Sequence, residues 1–229
     1  MKNFEDKNSP WFKYYSNDFS IHRKLQFFSA FYQAKEAIIN PEIKTMLEFG
    51  TGRNLTKAMV EHYGISHKSV DFDNKKYIPD EVSTIMDFKD NKKYDIVAAF
   101  QVLEHNPLNT LEQHLLKMKS LTKKYLYISV PYSGRWFSLS FNFNFFPKFA
   151  FKKSININWQ RILKKTRPTE LYKKRKDKYN PHWWEVGDKD FTKSDFKKLI
   201  YSMDMKIEKS FHNEFFPYHL FYLIKKNTI

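Results

Sequence analysis

Met46-Leu-Glu-Phe-Gly-Thr-Gly-Arg-Asn54 is the stretch on which the reading of the chain turns. An apolar run closes around Glu48, and Gly50 and Gly52 then permit a tight turn and a close approach of backbone to a ligand. The pattern stops short of the dinucleotide fingerprint G-x-G-x-x-G, because Leu55 stands where the third glycine would be. That glycine draws a helix close enough to hold a pyrophosphate at its N-terminus, and a nucleoside ligand without a pyrophosphate does not require it. Asp71, in Ser69-Val-Asp-Phe-Asp73, ends the next apolar run. A carboxylate in that place can accept both hydroxyls of a ribose.

Outward from this turn, short β-branched or aromatic runs recur at 43–49, 68–72, 94–100, 125–131 and 205–211, and a sixth closes the chain at 219–225. Between them apolar residues fall at helical spacing, over 20–40, 108–121 and 192–203. The last of these opens with Thr192-Lys-Ser-Asp195, a capping-box pattern with Asp in place of the commoner Glu or Gln. Strand alternating with helix predicts an α/β fold, doubly wound, with a mainly parallel sheet covered on both faces.

Taken with the later motifs, these residues resemble the class I S-adenosylmethionine-dependent methyltransferases over about 42–131 and again over 182–226. The run YDIVAAFQVLEH ending at His105 is similar to the methyltransferase-11-like branch. The resemblance implies a Rossmann-like, seven-stranded, mainly parallel sheet with an antiparallel last strand, and S-adenosyl-L-methionine as cofactor. It places Glu48 beside the methionine part of the cofactor, Gly50 and Gly52 along its backbone, Asp71 on the ribose, and Asp87 of Ile85-Met-Asp-Phe88 at the adenine amino group. Gln101 joins the cofactor-binding set. Asn54 departs from the pattern, since many members carry a third glycine there, although Asn tolerates unusual backbone angles.

A methyl on a sulfonium is already activated, so the protein mainly has to align a nucleophile and remove its proton. His105, then His182, with Glu104 beside them, are the expected catalytic groups, because a neutral imidazole is a suitable proton acceptor near pH 7. Glu185, in Asn180-Pro-His-Trp-Trp-Glu185, could close over the same mouth. Trp183 and Trp184 read as core packing, and His219 as a hydrogen-bonded core residue. Gln101-Val-Leu-Glu104-His105 is also similar to the Glu-x-x-Glu-His metal ligands of some small-RNA-end and quinone-ring methyltransferases. Its first member is here a neutral amide, a poor partner for a hard dication, so no metal is assigned.

Composition bounds the rest. The 229 residues, 41% hydrophobic and 18% aromatic, suit a packed core and exclude wholesale disorder. The absence of cysteine removes disulfides, cysteine-ligated zinc and cysteine nucleophiles. Neither a signal peptide nor a membrane-spanning run is visible, so a cytoplasmic protein, with a peripheral membrane association left open, is expected. A single domain over 1–229 is predicted, comprising a helical extension at 1–41, a cofactor-binding core at 42–134, a basic insertion at 135–181 for substrate recognition, and a C-terminal helix with two strands at 182–229.

Charge is concentrated in that insertion. Thirteen Lys and Arg face only Glu170 and Asp177 between 135 and 178, which places +11 of the net +15 there. The phenylalanine-rich stretch 137–151, broken by Asn142, Asn144 and Pro147, reads as a loop-like pocket cover or interfacial element rather than a buried strand. Four readings follow for the acceptor. One is a small or glycan-type molecule, anionic through phosphate and methylated on oxygen. A second is RNA, with Trp136, Trp159 or Tyr172 stacking on bases. A third is a lipid-linked acceptor at an anionic membrane surface. A fourth is a cofactor-binding scaffold without chemistry. The run Phe100-Gln-Val-Leu103 stands where an Asn/Asp-Pro-Pro-Tyr motif would mark exocyclic amine methylation, which favours oxygen.

Overall fold

A computed structural model of the chain describes residues 21–74, 78–134, 136–146, 149–159 and 182–227. Much of the expected basic insertion therefore lies outside the described residues. The described elements are helix α1 (Ile21–Ile39), strand β1 (Thr45–Phe49), helix α2 (Leu55–His62), strands β2 (Ser66–Asp71), β3 (Glu81–Val82) and β4 (Tyr94–Phe100), helix α3 (Leu111–Leu121), strands β5 (Thr122–Pro131), β6 (Trp136–Phe146) and β7 (Phe149–Asn158), helix α4 (Lys193–Ser202), and strands β8 (Met205–His212) and β9 (His219–Lys226).

Seven strands form one sheet in the order β3-β2-β1-β4-β5-β9-β8. The first five run parallel, and β9 lies antiparallel between β5 and β8. All seven residues of β4 are buried, as the centre of a sheet covered on both faces requires. Two apolar clusters provide that cover. On one face Ala34 and Ala37 of α1 and Val60 of α2 meet Met46, Ile96 and Tyr127. On the other, Leu111 and Leu115 of α3 and Phe196 and Ile200 of α4 meet Leu47, Val97 and Tyr222. The fold is thus the doubly wound one that the apolar runs predict.

Local chemistry sets the ends of the elements. Thr192 caps α4 reciprocally with Asp195: the Asp195 N–H donates to Thr192 Oγ1 at 3.2 Å, and the Thr192 N–H donates to Asp195 Oδ2 at 2.9 Å. Asp95, at the start of β4, accepts from the Lys44 and Thr45 N–H groups at 3.0 Å each and so aligns the lower ends of β1 and β4. Among the described residues no helix is long and apolar enough to cross a membrane.

The stretch expected to be loop-like is instead an antiparallel ribbon, β6 paired with β7, separate from the main sheet. Its base is fixed by Trp136, whose ring lies 5.6 Å from that of Tyr132 and 5.0 Å from that of His212. The His212 ring accepts from Lys193 Nζ at Nε2 and donates from Nδ1 to the Pro217 carbonyl, and burial with the nearby Lys193 charge holds its pKa down to about 4. Alternation divides the ribbon into two faces. Ser138 donates to Asn156 at 2.7 Å, and Ser140 and Ser154 bond at 2.9 Å; Ser154 also donates to Glu214 of the main body at 3.4 Å. This face reaches the main body at Ser154, while Ser138 and Ser140 are themselves exposed. The opposite face carries Phe137, Leu139, Phe141 and Phe143, with Ile155 and Ile157 beside them, all exposed by 39 to 57%.

Candidate functional site

The site begins where β1 and β4 end, side by side. Beyond these two strands the sheet is built in opposite directions, which is where doubly wound sheets open a crevice for a ligand. Each strand leaves the sheet through a left-handed residue: Gly50 has φ +81° and Gln101 φ +57°. A Cβ on Gly50 would lie 2.3 Å from Val102 Cγ2, so the two turns pack against one another and only glycine fits. Over Gly52 a Cβ would meet nothing within 4 Å, which leaves the turn open towards a ligand.

A cavity of about 380 Å³ lies over this turn. Of the expected site residues Glu48, Gly50, Gly52, Gln101, His105 and His182 line it, whereas Asp71, Asp87 and Glu104 do not, and α1 adds Ser29, Ala30 and Gln33. The α1 contribution is not visible in the motif pattern, because these residues become neighbours only when α1 packs on α2. Thr56 donates to Gln33 Oε1 at 2.9 Å across that contact. Phe216, Tyr218 and His219 close the far wall. His219 is buried and bonds Ser29 Oγ through Nδ1 at 2.8 Å, which joins β9 to α1.

Glu48 forms the floor. It is 2% exposed and meets His67 Nε2 at 3.0 Å, and burial raises its pKa although His67 opposes the shift. Asp71 accepts the Thr51 N–H at Oδ2 and the Asp73 N–H at Oδ1, each at 3.0 Å. It therefore braces the glycine turn against the end of β2, and its oxygens retain lone pairs for a further donor. Asp87 is placed differently from the expectation. It is exposed, bonds Thr84 Oγ1 at 2.6 Å, and is not among the residues lining the cavity. The Gln101 side chain donates to Ser129 Oγ at 3.2 Å, so its amide is turned towards β5.

At the mouth, a 3₁₀ turn over Leu103–His105 presents His105, whose ring centroid lies 4.9 Å from that of His182. The two come together because the Trp183 N–H donates to the Glu104 carbonyl at 2.8 Å, and Trp184, fully buried, donates from Nε1 to the Asn106 carbonyl at 3.0 Å. Trp184 is core, as its sequence suggests, and Trp183 is half-exposed at 37%. Tyr218 donates to Glu185 Oε1 at 2.6 Å and lies 3.1 Å from His182 Nδ1; Glu185 Oε1 is itself 3.6 Å from that nitrogen. Burial lowers the His182 pKa, but the Glu185 hydrogen bond and the charges of Glu104 and Glu185 reverse the shift and raise it. Glu104 sits beneath the imidazoles, fully buried, with neither carboxylate oxygen hydrogen-bonded, and burial lifts its pKa to about 8. The ligating atoms of Glu104, His105 and His182 all lie within 4.8 Å of one another, so these three could also hold a metal ion.

No family model and no curated protein matches the sequence. Solved structures match its fold. Magnesium protoporphyrin IX methyltransferase from Synechocystis PCC 6803 with bound SAH aligns with a TM-score of 0.59 and 11% identity, covering 96% of this chain and 96% of its own. CalS10, an amino pentose methyltransferase from Micromonospora echinaspora with bound SAM, aligns at 0.53 and 8%, over 94% and 95% of the two chains. A Rhodobacter sphaeroides structure described as putative Zn-dependent alcohol dehydrogenases aligns at 0.55 and 12%, over 90% and 98%. The chain has the class I S-adenosylmethionine-dependent methyltransferase fold, with β9 inserted antiparallel between β5 and β8. Fold does not fix chemistry, which has to come from the site.

Proposed function

We propose that the protein is an S-adenosylmethionine-dependent methyltransferase acting on an oxygen of an anionic small or glycan-type acceptor. The observation that carries this reading is the convergence on one cavity of a glycine turn, a buried acid beneath it, and two imidazoles at its mouth. The cavity falls in the size range of nucleoside and cofactor sites, and the open space over Gly52 suits a ligand lying across the turn. Glu48, Gly50, Gly52 and Gln101 would hold the cofactor, with Asp71 beside the ribose. When bound, S-adenosyl-L-methionine supplies a methyl group that needs no further activation. The chain's own task is to orient an acceptor hydroxyl, exclude water and receive its proton, for which His105 and His182 are within reach of the same space. The net charge of +15 favours an anionic acceptor, and the methyltransferases of the same fold, named for a porphyrin and an amino pentose, support a small molecule or sugar.

S-adenosylhomocysteine at a hundred times its Kd is expected to stabilise the protein by about 2.7 kcal/mol, a rise of roughly 5–10 °C in Tm for a chain of this length. An unchanged Tm at saturating ligand, with no heat of binding in calorimetry, would sink the reading.

The exposed apolar face of the ribbon favours one variant, in which the acceptor is lipid-linked and the protein works at an anionic membrane surface. The ribbon stretch 136–158 contains no acid, and the basic run follows it directly. Sedimentation with phosphatidylserine vesicles, but not with neutral phosphatidylcholine vesicles, is expected, and Phe141→Asp should abolish it. A protein that stays in the supernatant with both vesicle types does not dock on lipid.

A further inference from the structure

We infer that Glu104, His105 and His182 form a binding site for one divalent cation of the zinc, cobalt or manganese class at the mouth of the cavity. The first observation is geometric. Donors around one such ion lie about 2.0–2.2 Å from it, hence no more than about 4 Å from one another. The three ligating atoms already fall within 4.8 Å, so shifts of less than about 1 Å bring them onto a common centre.

The second observation concerns Glu104 alone. Its side chain is 0% exposed, yet neither oxygen has a hydrogen-bond partner. An unpaired buried carboxylate is costly and rare unless it is paired or coordinates a metal. No Lys or Arg approaches it among the ion pairs of the described residues; its neighbours are the two imidazoles and, more remotely, Glu185. A cation between carboxylate and imidazoles supplies the missing partner.

The third is the setting of His182. A metal-bound imidazole generally uses its second nitrogen to engage a carboxylate or other fixed group, which sets its tautomer and aim. His182 Nδ1 faces Tyr218 Oη at 3.1 Å and Glu185 Oε1 at 3.6 Å, which leaves Nε2 as the ligand. Tyr218 in turn is fixed by its 2.6 Å bond to Glu185. The sequence argues against a metal because Gln101 is a poor ligand. In the fold Gln101 is occupied with Ser129, and His182, from a distant part of the chain, provides the third donor. Two imidazoles and one carboxylate suit borderline cations better than calcium or magnesium, and three protein ligands leave open positions. In the methyl-transfer reading an acceptor hydroxyl would take one of them and lose its proton more readily. That use rests on the proposed function, whereas the site itself does not.

The test is equilibrium binding of Co²⁺ to the full chain freed of metal by chelator, followed by calorimetry and by the visible absorption of the bound ion, with SAH binding measured separately. One equivalent per chain is expected. Glu104→Gln should weaken Co²⁺ at least a hundredfold, His182→Ala should abolish binding, and Glu185→Gln should weaken it by about 10–100-fold. Glu104→Gln also carries a signature that a structural role would not give: without metal it should keep the parent's Tm, while losing the Co²⁺-induced rise. Absence of Co²⁺ binding in a protein that still binds SAH overturns the metal site alone. Equal affinity in the parent and Glu104→Gln overturns it as well. Stoichiometric Co²⁺ binding that these variants weaken supports the site even where SAH fails to bind, and only the proposed function then falls.

Discussion

Asp71→Ala is expected to lower affinity for S-adenosylhomocysteine about a hundredfold or more, the equivalent of ~2.7 kcal/mol. Two effects act together. The Thr51 and Asp73 N–H groups lose a charged acceptor, each such bond being worth roughly 1.5–3 kcal/mol. The glycine turn is then no longer tied to the end of β2, and the carboxylate proposed to meet the ribose is gone. Asp71→Asn retains one carbonyl oxygen and should fall between parent and alanine variant. Calorimetric titration checks the series, and an alanine variant within threefold of the parent removes Asp71 from the cofactor site.

Gly50→Ala is expected to be strongly destabilising. The new Cβ would meet Val102 Cγ2 at 2.3 Å in a backbone held at φ +81°. The left-handed conformation costs a residue bearing Cβ roughly 1–2 kcal/mol, and overpacking a tight contact adds about 1–3 kcal/mol. Denaturant unfolding should therefore show a loss of ~2–5 kcal/mol, with SAH binding weakened as well because Val102 adjoins Gln101. Gly52→Ala separates the two contributions. Its φ of +50° carries the backbone cost, but no neighbour stands in the way of its Cβ, so its stability loss should be the smaller. Equal losses in the two variants would show that the contact with Val102 is not what confines position 50.

The parallel half of the sheet was legible because its strands are buried on both faces. Such strands read as unbroken apolar runs, and β4 matched its predicted bounds at both ends. The capping box of α4 was equally legible, being a local pattern with a local cause. Strand β3 was not, because two residues, Glu81 and Val82, show no periodicity. The ribbon was misread for a different reason. Phe137, Leu139, Phe141 and Phe143 alternate with Ser138, Ser140, Asn142 and Asn144, which is the period of a strand. The breaks at Asn142, Asn144 and Pro147 weigh against a buried strand, and the ribbon keeps Phe137, Phe141 and Phe143 exposed instead. In the site, Glu48, the glycines and Gln101 were readable because one strand–turn–helix unit carries each of them. The approach of His182 to Glu104 and His105 was not, since it depends on a main-chain bond from Trp183 that no spacing reveals. Asp87 shows the limit of transfer by motif alone: its position in sequence matches the pattern, while its carboxylate is engaged by Thr84.

Among the described residues strand β8 pairs with β9 and with no other strand, and β9 reaches the sheet through β5. Synthesis delivers β8 first, at a time when its only docking site has not been made. Until β9 emerges and threads between them, the edge of β5 is bare, with Leu126, Ile128 and Val130 of that strand, all fully buried in the finished molecule, lacking their neighbour. Assembly order and chain order thus conflict at this edge. A nascent or C-terminally nicked chain has a sticky flank there, and a chaperone that shields exposed strand edges would find its client in that interval.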